Sequence, residues 1–190
     1  MRSGVIAGLI WLLAGTAIAA EADFDTITGY RIARYRSPVP ESVAGAERIT
    51  AADVATLLRD RNALLIDVMP SEGAGPDTAT GAWRAVKPRQ HIPGSIWLPD
   101  VGKGELTPAF DAYFKSNLAR LTDGNPARAM IIYCQADCWM SWNAVKRAAS
   151  YGYTALYWFP EGSDGWRDWD GQFVAASPVP MGPSAPPPRQ

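Results

Sequence analysis

Residues 127–143 read ARAMIIYCQADCWMSWN. The run Met130–Tyr133 is wholly apolar and follows the turn formers Asn125-Pro126. Such a run, with no alternation of polar positions, predicts a strand buried on both faces. A polar loop follows, and Ser141–Ser150 then reads as a helix stopped by Gly152. Working outward, the same signature recurs in ALLIDV at 63–68 and in YTALYWF at 153–159, while HIPGSIWLP at 91–99 turns and re-enters a strand. Thr50 is set to cap a helix through Asp53, with Val54, Leu57 and Leu58 as its apolar stripe. Phe110, Tyr113, Phe114, Leu118 and Leu121 place a further helix over 107–121. Strands alternating with helices predict an α/β fold, a parallel sheet with helices on both faces. Ligands of such sheets sit at the carboxyl ends of strands, where Cys134 stands.

The chain divides further. Residues 1–19 have the three parts of a secretory signal: Arg2, the uncharged core Val5–Ala14, and Ala17-Ile18-Ala19 as a small-x-small cleavage site. The alternative is a retained anchor helix, for which the apolar run is short. The mature chain of about 170 residues is then expected to be periplasmic, with no membrane association after cleavage, and suits one domain. Residues 20–48 hold Pro38, Pro40 and Gly45 and predict a wrapped arm; the domain proper covers 49–176. Residues 70–90 and 160–166 are read as loops. Residues 177–190, SPVPMGPSAPPPRQ, are expected to form a disordered or extended tail that does not pack. With 18 basic and 19 acidic side chains and no basic cluster, the chain offers nucleic acid no footprint.

Both cysteines of the chain, Cys134 and Cys138, lie in the strand-to-helix loop. The backbone N–H groups of 135–140 and the positive end of the following helix would favour a thiolate at Cys134, and equally a bound anion. The binding loop is therefore taken as Gln135, Ala136, Asp137, Trp139 and Met140, with Asp137 capping the helix or pointing outward. In an oxidising compartment the two sulfurs are in reach of each other if the loop bends. Two readings stay open: a redox loop in which Cys134 attacks and Cys138 resolves, and a static local bridge.

Four segments in order, LLIDVMP, HIPGSIWLP, MIIYCQADCW and LYWFPEGSDGW, resemble a rhodanese-like domain over roughly residues 49–176. The resemblance implies sulfur transfer through a persulfide on Cys134, with a small sulfur donor and acceptor or a thiol partner protein. YCQADCWMSWNAVKRA and the arm GYRIARYRSPVP are similar to an exported group named for a Cys-x-x-Cys-Trp motif and associated with pyrroloquinoline-quinone-dependent catabolism. That similarity implies a quinoprotein dehydrogenase or cytochrome as partner. The cysteines here are one residue further apart than that name. Sulfurtransferase loops commonly carry a glycine three residues after the cysteine and an arginine five after it; Asp137 and Trp139 stand there, and Met69 replaces the arginine that often follows the Asp-Val pair. The missing arginines weaken the hold on thiosulfate and argue against phosphatase chemistry.

No cofactor is called for, and the site is read as metal-free. Zinc would want four ligands, and two sulfurs with the single histidine, His91, fall short. The alternative is Cu(I) on the two thiolates with a thioether from Met69, Met130 or Met140, in a protein that docks a dehydrogenase or cytochrome. Asp67 and His91 are assigned structural roles near the site. Arg84, Lys87 and Arg89 read as a solvated basic loop that could lend a cation to the cysteine loop. Trp139 and Trp142 either wall an apolar mouth or dock a partner, against the plainer reading that they fill the edge of the core.

Overall fold

The computed structural model describes residues 23–182; the segment read as a signal lies outside them. In chain order the elements are β1 (Glu47–Arg48), α1 (Ala51–Arg61), β2 (Leu64–Asp67), β3 (Gly75–Pro76), β4 (Trp83–Arg84), β5 (Gln90–His91) and β6 (Ser95–Trp97). They continue with α2 (Pro108–Leu121), β7 (Met130–Tyr133), α3 (Trp139–Ser150), β8 (Leu156–Phe159), α4 (Gly162–Asp168) and β9 (Val174–Ala175). The central sheet runs β1-β8-β7-β2-β6, with every pair parallel. This is the α/β architecture that the apolar runs implied.

Side-chain parity along the strands builds the two cores. In register, Ile66 of β2 stands beside Ile132 of β7, and Ile132 beside Trp158 of β8. These even positions pack with Tyr113, Phe114 and Leu118 of α2 and Ala144, Val145 and Ala148 of α3. The odd positions Leu65, Ile131, Tyr133 and Phe159 pack with Val54 and Leu57 of α1 and Trp166 of α4. Successive strand side chains point to opposite faces, so each apolar run feeds both layers.

Helix ends follow local chemistry. Thr50 and Asp53 form a reciprocal capping box at α1. Thr107 caps α2, with Pro108 in its first turn. Helix α3 starts at Trp139, two residues before the predicted Ser141, because Asp137 at φ 52° and extended Cys138 turn the chain at once from strand into helix. Helix α4 corrects the loop expected at 160–166. Its glycines hid it: Gly162 sits at φ 53°, and a Cβ there would lie 2.4 Å from the Cys134 carbonyl oxygen.

The tail also needs correction. Residues 177–182 dock, and the rest of that segment lies outside the described residues. Val179 N–H donates to the Trp97 carbonyl at 2.9 Å, and its own carbonyl accepts from Trp83 Nε1 and Tyr113 Oη, both at 2.7 Å. Val179 and Met181 pack against the α2/α3 core. The prolines remove donors but leave carbonyls, and half-buried Trp83 and buried Tyr113 supply the donors.

Candidate functional site

Loop 134–138 joins β7 to α3 at the carboxyl end of the sheet. Cys134 continues the parity of Met130 and Ile132, and this places its sulfur in the α2/α3 core, fully buried. Cys138, the N-cap of α3, is 3% exposed. The two are joined as a disulfide across Cα atoms 6.2 Å apart. The structure therefore brings together the two candidate sulfurs but corrects the expected setting. Cys134 does not look out over a ring of free amides; its Sγ lies 3.0 Å from Met69 Sδ.

Several of the loop's polar groups are used internally. Ala136 N–H donates to Asp164 Oδ2 at 3.0 Å, and Ser163 N–H donates to the Cys134 carbonyl at 3.0 Å, so α4 pins one side. The arm pins the other. Trp139 N–H donates to the Tyr35 carbonyl (2.9 Å), Ser37 N–H to the Asp137 carbonyl (3.0 Å), and Arg36 Nη1 to the Ala136 carbonyl (2.6 Å). A first-turn N–H of α3 that could have met an anion is thus bonded to main chain. Asp137 is exposed and makes no side-chain cap, which realises the outward half of the expectation.

Trp139 and Trp142 do not form a mouth. Trp139 Nε1 donates to Ser37 Oγ and the Pro38 carbonyl, and Trp142 Nε1 to the Ser42 carbonyl. Arg31, buried and paired with Asp23 at 2.7 Å, lies over both the Phe24 and Trp139 rings. Asn143 accepts from Arg31 N–H and donates to the Arg31 and Gly102 carbonyls. Both tryptophans and Asn143 are arm anchors. Met140 is buried with its backbone against Gly102, so it is no part of a binding surface.

A cleft of about 470 Å³ opens next to the loop, lined by Met69, Ser71, Lys87, Arg89, Gln135 and Arg167 among others. Of the predicted binding loop only Gln135 reaches it. Lys87 and Arg89 do border the site, as the basic loop suggested they could, whereas Arg84 lies in β4 and is exposed. Each cation lining the cleft stands beside a carboxylate: Lys87 with Glu72 at 2.8 Å, Arg167 with Asp164 at 3.0 Å, and Arg89 at 3.4 Å from Asp67, which it shares with His91. The cleft is therefore close to charge-balanced, while Arg89 Nη1 is buried without a hydrogen-bond partner.

Asp67 and His91 sit behind it, both fully buried. Asp67 accepts from Met69 N–H at 2.8 Å and shares its other oxygen with His91 Nδ1 at 2.7 Å; Trp97 Nε1 donates to the Met69 carbonyl at 2.8 Å. These bonds fix the Met69 backbone so that its side chain lies between cleft and disulfide. Asp164 and the arm residues Tyr35–Pro38 had no local signal in the sequence, because their pairing partners lie some 28 to 100 residues away.

The family model of the rhodanese-like domain matches residues 50–168. A search of curated proteins finds no match. Among solved structures the chain is similar to a thiosulfate sulfurtransferase from Pseudomonas aeruginosa (17% identity, TM-score 0.46), covering 68% of this chain and 20% of that one. It is also similar to the human single-domain sulfurtransferase TSTD1 (20% identity, TM-score 0.43, 65% of this chain and 97% of that one). A third is the polysulfide-sulfur transferase of Wolinella succinogenes (17% identity, TM-score 0.41, 69% and 80%). The present chain thus spans about a fifth of the Pseudomonas enzyme. With its parallel sheet, its cysteine at the end of the central strand and the family match over most of its length, the chain belongs to the rhodanese-like domain family.

Proposed function

We propose that this protein is an exported rhodanese-like protein whose chemistry is thiol–disulfide exchange at the Cys134–Cys138 pair, serving pyrroloquinoline-quinone-dependent oxidation of alcohols. The observation that carries it is the closed pair itself, at the carboxyl end of the central strand. Persulfide transfer is the weaker option here, since Cys134 is walled by Met69 and core residues and the neighbouring cleft cations each stand beside a carboxylate. Export rests on the signal-like residues 1–19, and the quinoprotein connection on the resemblance of the Cys-Trp segment and the arm.

In the exchange, a partner thiolate attacks Cys138 Sγ, the disulfide bond breaks, and Cys134 leaves as a thiolate that takes a proton. A second partner thiolate then displaces Cys138, leaving the partner oxidised and the pair reduced. Cys138 is the sulfur at which exchange begins, reversing the order expected from sequence. It caps α3, whose positive end favours its thiolate, and it adjoins the arm; both sulfurs border the core, Cys138 being 3% exposed and Cys134 fully buried. Iodoacetamide trapping and peptide mass mapping of freshly isolated periplasmic protein tests this. A bridged peptide that opens reversibly to two alkylated cysteines is expected. A Cys134 peptide heavier by one sulfur, with sustained transfer from thiosulfate to cyanide, would overturn it.

The burial of both sulfurs favours one second reading, a non-catalytic binding module held by a static bridge. Cys134→Ser separates the two: lost function with partner binding intact favours exchange, and unchanged function favours the module.

A further inference from the structure

We infer that the reduced protein binds one Cu(I) ion, or another soft monovalent cation, between Cys134, Cys138 and Met69. The inference rests on the reducible pair proposed above. Three sulfurs converge at this point: the two joined cysteines, and Met69 Sδ at 3.0 Å from Cys134 Sγ. Nearby hard ligands are committed elsewhere. Asp67 serves Met69 N–H and His91, and Asp164 serves Ala136 N–H and Arg167. Among the described residues no group of three His, Cys, Asp or Glu could hold a metal, so zinc has no ligand set here. Two thiolates and a thioether select a soft, low-coordinate cation.

The geometry needs little change. Metal–sulfur bonds of ~2.3 Å place three sulfurs roughly 4 Å apart in a trigonal site. The Cys134 and Cys138 Cα atoms, 6.2 Å apart, leave their sulfurs free to separate to that distance by side-chain rotation. Met69 can follow through its three rotatable bonds while its backbone stays held by Asp67 and Trp97. Of the three ligand residues only Met69 also lines the open cleft, so the path of an incoming ion runs past it. The balance is simple. A dithiol reductant opens the bridge with two electrons and two protons and itself becomes a disulfide. Cu(I) then displaces both thiol protons, and the copper is neither oxidised nor reduced.

The test uses the full-length protein under anaerobic conditions. Intact mass is taken first, before and after dithiol treatment, and Cu(I) is then titrated against bicinchoninate. The expected result is one Cu(I) per reduced chain and none per oxidised chain, with X-ray absorption showing only sulfur neighbours. Met69→Leu, which conserves volume, should weaken binding by about tenfold or more, since even outer-shell losses cost 10–100-fold. Met130→Leu, at the far end of β7, should leave it unchanged. Two thiols forming on reduction without copper capture, or Met69→Leu binding as tightly as the natural chain, would overturn the site and leave the exchange reading intact. A mass that never gains two hydrogens would overturn both.

Discussion

Gly162 shows how much one residue decides. Its φ of 53° and its approach to the Cys134 carbonyl leave no room for a side chain. Gly162→Ala should therefore destabilise the protein by about 1–3 kcal/mol, read from denaturant midpoints, because backbone rather than a movable side chain blocks the Cβ. The Cys134–Cys138 bridge closes so short a loop that its entropic contribution is small, about 2 kcal/mol. Reduction should lower stability by no more than that, and the reduced protein should keep its far-ultraviolet circular dichroism. Unfolding on reduction would mark the bridge as a structural necessity instead. Met69 occupies the position where the family often has arginine, and in exchange for a cation it sets a soft sulfur against Cys134.

At the scale of elements, the arm is the unexpected partner. It covers α3 through Asn143, Trp139 and Trp142 and is locked by Asp23 with Arg31 and Arg34. The hydrogen bond from Arg34 holds the Asp23 carboxyl below the usual carboxylate range; the Arg31 charge adds to this, while partial desolvation opposes it. A group with a depressed folded value stabilises fully above its unfolded pKa of ~3.9 and loses that contribution as pH falls through the lower folded value. Hydrogen exchange of the Arg31 and Tyr35–Ser37 region should therefore be pH-independent in protection from neutrality down to about pH 4 and weaken only below it. Asp23→Asn should remove that acid transition, and Asn143→Ala should loosen the same segment at every pH. Protection in Asn143→Ala equal to the natural chain would mean the arm is held by something else.

Across the whole molecule, the tail ties the sheet edge to α2. Deleting residues 177–190 exposes Trp97, Tyr113 and Trp83 around Val179 and Met181 and leaves the Tyr113 hydroxyl and Trp83 indole without their carbonyl partner. The loss of two half-buried apolar side chains and these bonds should cost a few kcal/mol. A truncated chain melting with the natural one would show that the docked tail contributes nothing. No helix among the described residues is long and apolar enough to cross a membrane.

Most of the frame was legible in the sequence because it is written locally. The strand runs 64–67, 130–133 and 156–159, the Thr50/Asp53 capping box and the helix read over 107–121 are properties of near neighbours, and all hold in the structure. The two cysteines and their loop were visible for the same reason. What lay beyond reach was the surroundings of that loop. Whether Cys134 faces an open pocket or a core depends on strand parity meeting α2 and α3. Two of its amides were free on paper because the residues that use them, Tyr35 and Asp164, are distant in the chain. By itself the sequence determined the parallel sheet and the position of the sulfurs along it; only the tertiary structure decided that they are sealed, bridged and backed by Met69, because burial and pairing are set by residues far apart in the chain that packing brings into contact.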